Sequence, residues 1–285
     1  MVVLKNENAV LKINERGAEM KSFTVNNVEF LWVGDPNFWA SSAPHLFPIA
    51  GGLKDDKYIL NGKEYILSKH GFAKNMDFAV ESVADNKATF LLTATDETKV
   101  SFPYDFEFRV TYTLFADKVQ VDYDIKNINN DKMFFSVGAH EGYACPEGIE
   151  EYDIIFKENE TLKSYVLYGN LIGNDTIPVI ENTNILPLDY KYFAVDALVF
   201  KDVKSEECSL INRKTGRGIK LEYPNFPFML LWTKPNAPYI CIEPWFGIPG
   251  SLDDDCIIEH KEGIQCINAG ETFSCTRIIT ALEGK

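Results

Sequence analysis

The chain has 285 residues, 46% of them apolar and 13% aromatic, which is the composition of a globular protein with a sizeable core. Its formal net charge of −14 argues against nucleic acid and anionic membrane surfaces as partners, because both attract a concentrated basic face. No stretch has the apolar length of a membrane span, and the first residues lack the apolar core of a signal peptide. We therefore expect a cytoplasmic protein that forms one domain over residues 1–285.

Alternation of apolar and polar residues predicts β-strands along most of the chain. Early hairpins are predicted at residues 26–27, Asn-Asn, and at residues 61–62, where Asn-Gly is the strongest two-residue turn signal. The segments 106–114 and 119–125 alternate strictly and predict an antiparallel hairpin with one buried face. The run MFFSVGAH at 133–140 is nearly all apolar, so we expect a third strand that is covered on both sides.

The second half of the chain continues the same pattern. Residues 158–184 are polar and weakly patterned, which indicates an excursion from the main sheets rather than a domain boundary. A turn is predicted at 214–216, a single helical turn within 254–260, and a last strand at 271–280. Short strands with frequent turns predict an all-β fold, a large antiparallel β-sandwich with few short helices.

The six cysteines show neither C-x-x-C pairs nor a regular framework, so we interpret them as free thiols. A zinc site built from Cys256, His260 and Cys266 is conceivable, but the spacing fits no familiar pattern. The acidic run at 253–255 lacks the spacing of an EF-hand loop and is typical of a solvated loop. The sequence therefore predicts no metal site.

His140 and Glu243 are the best candidates for chemistry. His140 ends the apolar run at 133–140, and Glu243 lies inside the apolar segment PYICIEPWFG. A buried carboxyl group either raises its pKa or finds a partner, and an imidazole with a carboxylate is sufficient equipment for proton transfer near neutral pH. The alternatives are structural: a hydrogen-bonded core histidine and a salt bridge from Glu243 to a distant cation.

His70 precedes Gly71 in SKHGFAK, which indicates a tight bend or a close backbone approach of the kind found beside ligands. A purely structural loop histidine explains this motif equally well. Trp245 and Phe246 offer flat apolar surface of the kind that lines small-molecule pockets. No G-x-S-x-G, P-loop or G-x-G-x-x-G motif occurs, which argues against an esterase nucleophile and a nucleotide site.

HGFAK, SVGAH and WTKPNAPYICIEPWFGIPG resemble the aldose 1-epimerase (mutarotase) family, in particular the bacterial branch associated with lactose and galactose utilisation genes. The resemblance extends over essentially the whole chain. It implies a large antiparallel β-sandwich, a small-molecule sugar as partner, and no metal or organic cofactor. We also expect a monomer or homodimer.

The resemblance also implies roles for individual residues. His140 matches the general acid that protonates the ring oxygen, and Glu243 matches the general base at the anomeric hydroxyl. His70 matches a histidine that hydrogen-bonds sugar hydroxyls, and Asp196 resembles an acidic substrate-binding position. In this mechanism Glu243 starts ionised and His140 protonated, and their mutual attraction favours that state.

Two positions depart from the branch. It usually has an arginine where this chain has Gly52, and Lys54 is a candidate replacement. It usually has a proline after the histidine, where this chain has Glu141, and we expect this extra carboxylate to raise the pKa of His140 and reshape the pocket.

The leading hypothesis is an aldose 1-epimerase that interconverts the α and β anomers of a free aldose such as galactose or glucose. The alternatives are a non-catalytic carbohydrate-binding protein on the same scaffold and a hexose-6-phosphate 1-epimerase, although few arginines lie near the motifs. The last-ranked alternative is a glycosidase that uses Glu141 and Glu243 as paired carboxylates.

Overall fold

A computed structural model describes residues 1–284 and is 52% strand and 8% helix. The first eleven strands are β1 (Val2–Lys5), β2 (Ala9–Ile13), β3 (Met20–Val25), β4 (Val28–Glu29), β5 (Lys57–Leu60), β6 (Lys63–Ile66), β7 (Ala79–Val83), β8 (Lys87–Thr93), β9 (Phe106–Leu114), β10 (Lys118–Asn127) and β11 (Met133–Phe135). The others are β12 (Val137–Gly138), β13 (Glu141–Ala144), β14 (Tyr152–Tyr168), β15 (Leu171–Pro187), β16 (Leu198–Phe200), β17 (Glu207–Asn212), β18 (Gly218–Glu222), β19 (Phe228–Trp232), β20 (Tyr239–Phe246), β21 (Gln265–Ile267) and β22 (Thr272–Leu282).

Helical structure is limited to short segments, as predicted. The α-helix α1 (Asp96–Ser101) was not predicted; Thr95 caps it through a capping box with Thr98. The 3₁₀ turns are Lys54–Asp56, Ala73–Asn75, Ile149–Glu151, Tyr190–Phe193 and Ile258–His260, and the last of these lies within the predicted helical turn. Within residues 1–284, no helix is long and apolar enough to cross a membrane.

The largest sheet has nine antiparallel strands in the order β15-β14-β17-β18-β22-β10-β9-β8-β7. At its centre, the predicted hairpin β9–β10 is confirmed, and buried and half-buried positions alternate along β10 without a break. The weakly patterned segment 158–184 lies in the long hairpin β14–β15, whose register shifts four times. Because β15 is an edge strand and mostly exposed, its sequence lacks the regular alternation of a half-buried strand.

A second, five-stranded sheet holds the sequence motifs of interest. Its order is β12-β20-β19-β16, and β13 also pairs with β20. β20 is therefore a central strand, which explains why seven of its eight residues are buried. Apolar residues of this sheet and of β9 and β10 belong to one continuous hydrophobic cluster, so the two sheets enclose a common core. The predicted all-β antiparallel architecture is confirmed.

The predicted turns are also in place, and Asn26, Asn27 and Asn61 adopt the positive φ angles that such turns require. The prediction for residues 133–140 was wrong in detail. The run forms two short strands: β11 pairs with β21, and β12 pairs with β20. Between them, the amide of Ser136 donates to the carbonyl oxygen of Pro48. The sequence of an apolar run that is covered on both sides does not indicate which strand it pairs with. The pairing is therefore set by tertiary contacts.

Candidate active site

His140 and Glu243 are cross-strand neighbours. β12 and β13 both run antiparallel to β20, with Gly138 opposite Trp245 and Glu141 opposite Ile242. The same register continues through the short gap between β12 and β13 and places His140 directly opposite Glu243. Residues opposite each other in antiparallel strands project to the same face of the sheet. Accordingly, Nδ1 of His140 lies 3.4 Å from Oε2 of Glu243.

The pair is deeply buried, with 12% of the His140 side chain and 2% of the Glu243 side chain exposed. Burial, together with the positive charges of Lys74 and Lys69, lowers the pKa of His140 to about 3. Burial also raises the pKa of Glu243 well above its usual value, while Lys69 opposes this shift. The environment thus favours the neutral form of each group, whereas the sequence predicted an ionised Glu243 beside a protonated His140.

Aromatic rings fix the position of the His140 imidazole. The Trp39 ring stacks on it at a centroid distance of 5.0 Å, and the Trp232 ring meets it edge-on at 5.6 Å. The Trp245 ring lies on the same face of β20 as Glu243, and its indole N–H donates to the carbonyl oxygen of Ala139 at 2.8 Å. The Trp39 and Trp232 rings leave the His140 imidazole little freedom to rotate.

His70 joins the same cluster, with its ring 5.6 Å from those of His140 and Trp245. The amide of Gly51 donates to its Nδ1 at 3.2 Å, so the neutral ring carries its proton on Nε2. The predicted close approach at Gly71 is present: its φ is +66°, and a Cβ there would lie 2.4 Å from the carbonyl oxygen of Phe47. A glycine is required there, and it holds the neighbouring histidine at the site.

These residues line a cavity of about 420 Å³, a volume within the usual range for small-molecule sites. Its walls include His70, His140, Asp196, Trp232, Glu243 and Trp245. All four predicted site residues therefore meet in one cavity. Asp196 lies in the loop before β16, where its Oδ1 accepts a hydrogen bond from the amide of Ala197. Phe246 does not line the cavity; it packs against Phe226 and Phe273.

Comparison with known proteins identifies the family of this chain. Residues 1–279 match the family model for aldose 1-epimerase. The chain belongs to the aldose 1-epimerase family. Protein LacX, plasmid, of Lactococcus lactis subsp. lactis is 33% identical over 296 residues, with 99% of each chain covered.

Two solved structures have nearly the same fold. A galactose mutarotase related enzyme from Lactobacillus acidophilus is 31% identical with a TM-score of 0.93, and the match covers 100% of this chain and 99% of the other. A galactose mutarotase-like protein from Lactobacillus casei is 28% identical with a TM-score of 0.94, covering 99% of this chain and 100% of the other. The chain is thus an isomerase of the sugar epimerase or mutarotase type with a galactose mutarotase-like fold.

Glu141 does not have the influence on the site that the sequence predicted. Successive residues of a strand face opposite sides, so Glu141 points away from the cavity that His140 lines. Its carboxylate accepts hydrogen bonds from Nε of Arg277 at 2.9 Å and from Nη2 of the same guanidinium, and both side chains are fully buried. The pKa of His140 is lowered, not raised. The expectation that Glu141 raises this pKa is wrong.

The Gly52 departure has a local explanation. A Cβ at Gly52 would lie 2.6 Å from the Cβ of Asn170 and 3.0 Å from its carbonyl oxygen, so any side chain at position 52 would collide with the β14–β15 turn. Asn170 itself lines the cavity. Lys54 does not take this place, because its Nζ donates to the carbonyl oxygen of Asp254 at 3.0 Å and it is absent from the cavity wall.

Sequence reasoning missed several residues of the site. Lys69, Asn170 and Lys234 line the cavity, and Trp39 covers His140. Lys69 is adjacent to His70 in the sequence and Lys234 lies in the WTKP motif, so both could have been found from their neighbours. Nothing in the sequence around Asn170 or Trp39 marks them, since each reaches the site from a loop.

Proposed function

We propose that the protein interconverts the α and β anomers of a free aldose such as galactose or glucose. The observation that carries the proposal is the placement of His140 directly opposite Glu243, 3.4 Å apart, in the wall of a cavity that can hold a monosaccharide. Membership of the aldose 1-epimerase family supports it.

In the proposed mechanism, Glu243 removes the proton from the anomeric hydroxyl while His140 delivers a proton to the ring oxygen. The ring opens, rotation about C1–C2 presents the other face of the carbonyl group, and the two groups reverse their roles as the ring closes. No covalent intermediate forms. A well-placed general acid or base contributes ~10²–10⁴-fold each.

The buried pair supplies the proton that this exchange needs. Because burial favours a protonated Glu243 and a neutral His140, the pair holds one proton in total, which is the same number as an ionised Glu243 beside a protonated His140. The raised pKa makes the Glu243 carboxylate a stronger base once the proton has moved, and the lowered pKa makes the imidazolium a stronger acid. Both shifts promote proton transfer to and from the sugar.

The remaining groups of the cavity bind the sugar in this proposal. His70 donates from Nε2 to a sugar hydroxyl, because its Nδ1 already accepts from the Gly51 amide. The Asp196 carboxylate accepts from other hydroxyls, and the Trp245 ring packs against an apolar face of the pyranose. His70, Asp196 and Trp245 all line the cavity together with the catalytic pair.

Polarimetry or NMR of freshly dissolved α-galactose and α-glucose tests the proposal. Wild-type protein should speed the approach to anomeric equilibrium, and Glu243→Gln or His140→Gln should lose ~10²–10⁴-fold of that rate. Glu259→Gln is the matched control, because Glu259 is exposed and lies outside the cavity. Equal relaxation with wild type and Glu243→Gln would exclude catalysis on these sugars.

Saturable sugar binding without faster anomer exchange would instead support the non-catalytic carbohydrate-binding alternative. Two lysines in the cavity wall, Lys69 and Lys234, favour a second candidate, hexose-6-phosphate 1-epimerase. The same assay with the 6-phosphates distinguishes the two, and a higher kcat/KM for the phosphorylated sugar would favour the second. The glycosidase alternative loses support because the Glu141 carboxylate is bound to Arg277 in the core.

A further inference from the structure

Cys241 is a buried nucleophile that the proposed mechanism does not use. It lies on β20 two residues before Glu243, so both side chains project from the same face of the strand. One donor atom each from His140, Cys241 and Glu243 lies within 4.8 Å of the other two. Among residues 1–284, these three form the one group of histidine, cysteine and acidic side chains close enough to share a metal ion.

Cys256, His260 and Cys266, whose spacing argues against a zinc site, do not form such a group among the described residues. Nδ1 of His260 contacts the Asp255 carboxylate at 2.8 Å.

The spacing of the three donor atoms suits a cation with tetrahedral coordination. A nitrogen and an oxygen that bind one Zn²⁺ ion lie about 3.3 Å apart, and Nδ1 of His140 is 3.4 Å from Oε2 of Glu243. A sulfur ligand would lie about 3.6 Å from either. The donor atoms of the three residues already lie within 4.8 Å of one another, so the Cys241 thiol needs to move by only about 1 Å. In addition, Nδ1 of His140 is buried without a hydrogen-bond partner, so its ligation breaks no existing bond.

The charges of the three groups also match a divalent ion. A thiolate and a carboxylate cancel the two positive charges of Zn²⁺, and a neutral imidazole adds a donor without charge. Binding therefore places no net charge in the buried wall of the cavity, which would otherwise be costly. Imidazole, thiolate and carboxylate are common zinc ligands, and three protein ligands leave a fourth position for water or a sugar hydroxyl.

We propose that His140, Cys241 and Glu243 form a binding site for Zn²⁺ or a similar divalent transition metal, and that an ion bound there inhibits the enzyme. On binding, the thiol and the catalytic pair release their protons to solvent. The ion then holds the Glu243 carboxylate and a nitrogen of His140, so neither can exchange protons with a sugar. The binding of the ion is independent of the proposed function, whereas the inhibition rests on it.

Cobalt titration without sugar tests the binding. With wild-type protein, Co²⁺ should give tetrahedral visible bands and a near-ultraviolet thiolate-to-cobalt band that saturate at one equivalent and disappear when Zn²⁺ is added. Cys241→Ser should lose the thiolate band and at least ~10-fold in affinity. Cys266→Ser is the control, because this thiol is exposed and outside the trio.

Folding of each variant is checked by circular dichroism. If Cys241→Ser is misfolded, His140→Ala serves as the second variant and should lose the visible bands. A wild-type protein without a thiolate band, or a band that persists in Cys241→Ser, would overturn the site.

The inhibition is tested by the ratio of anomer-exchange rates with and without Zn²⁺. This ratio should be well below one in wild type and close to one in Cys241→Ser. Cobalt bands at the trio together with an unchanged wild-type rate would overturn the inhibition alone. A wild-type protein that binds cobalt but never accelerates anomer exchange would instead contradict the proposed function and leave the metal site supported.

Discussion

The buried pair of Glu141 and Arg277 allows a quantitative test of what the unusual carboxylate does. Both side chains are fully buried, Nε of Arg277 lies 2.9 Å from Oε1 of Glu141, and the guanidinium carbon lies 4.5 Å from the centre of the Tyr123 ring. Replacing Arg277 by methionine keeps much of the volume and removes the cation. The Glu141 carboxylate then stays in the core without a partner.

We expect Arg277→Met to lower the free energy of unfolding by ~3–5 kcal/mol, because one member of a buried ion pair is left uncompensated. For a chain of this size, that loss lowers Tm by roughly 6–10 °C. Glu141→Gln should cost a similar amount. The double variant removes both charges, so it should be more stable than the sum of the single changes predicts, with a coupling energy of roughly 2–3 kcal/mol.

Urea unfolding of the four proteins at pH 7, followed by circular dichroism, measures this cycle. A loss below ~1 kcal/mol in Arg277→Met, or strictly additive single changes, would refute the reasoning. Glu141→Gln should also keep near wild-type anomer exchange well below its Tm, because Glu141 faces away from the cavity. A large loss of kcat in a folded Glu141→Gln protein would mean that this carboxylate acts in the chemistry.

Four further predictions concern stability and substrate binding. Burial lowers the pKa of His45 to about 3. Below about pH 6.5 the unfolded chain therefore binds a proton that the folded chain does not, and the free energy of unfolding of wild type falls as pH drops. In urea titrations between pH 6 and 4.5, His45→Gln should reduce the slope of unfolding free energy against pH by about 1 kcal/mol per pH unit. His260→Gln should leave that slope unchanged and act at higher pH instead: a hydrogen bond to the Asp255 carboxylate raises the pKa of this exposed group, so wild type loses this stabilisation as pH rises above about 6.5, and the variant should not. In urea unfolding, Gly71→Ala should cost ~1–3 kcal/mol more stability than Gly62→Ala. Both glycines have positive φ, but only a Cβ at Gly71 would collide with neighbouring backbone. Equal losses of stability in the two variants would contradict this. Asn170→Ala should raise KM ~3–10-fold with little change in kcat, as expected for the loss of one hydrogen bond to the sugar, and unchanged progress curves would remove Asn170 from the binding site.

The sequence determined the fold class and the candidate pair. Strict alternation in β9 and β10 requires an antiparallel sheet with one buried face, and the asparagine turns fix where hairpins reverse. A histidine and a glutamate inside apolar runs are conspicuous because burial of such groups is costly without a purpose. The assignment of residues 1–285 to one domain, and a monomer or homodimer, stay predictions.

Only the tertiary structure decided how these residues work together. The strand period tells from sequence that His140 and Glu141 face opposite sides, but not which side is the cavity and which is the core. The register of β12 and β13 on β20 settles this: it sets His140 opposite Glu243 and directs Glu141 towards Arg277. The pKa shifts follow from burial, which no local pattern encodes. Loops and turns distant in the chain complete the wall, as with Asn170 against Gly52, because a cavity is formed by surfaces that meet only after folding.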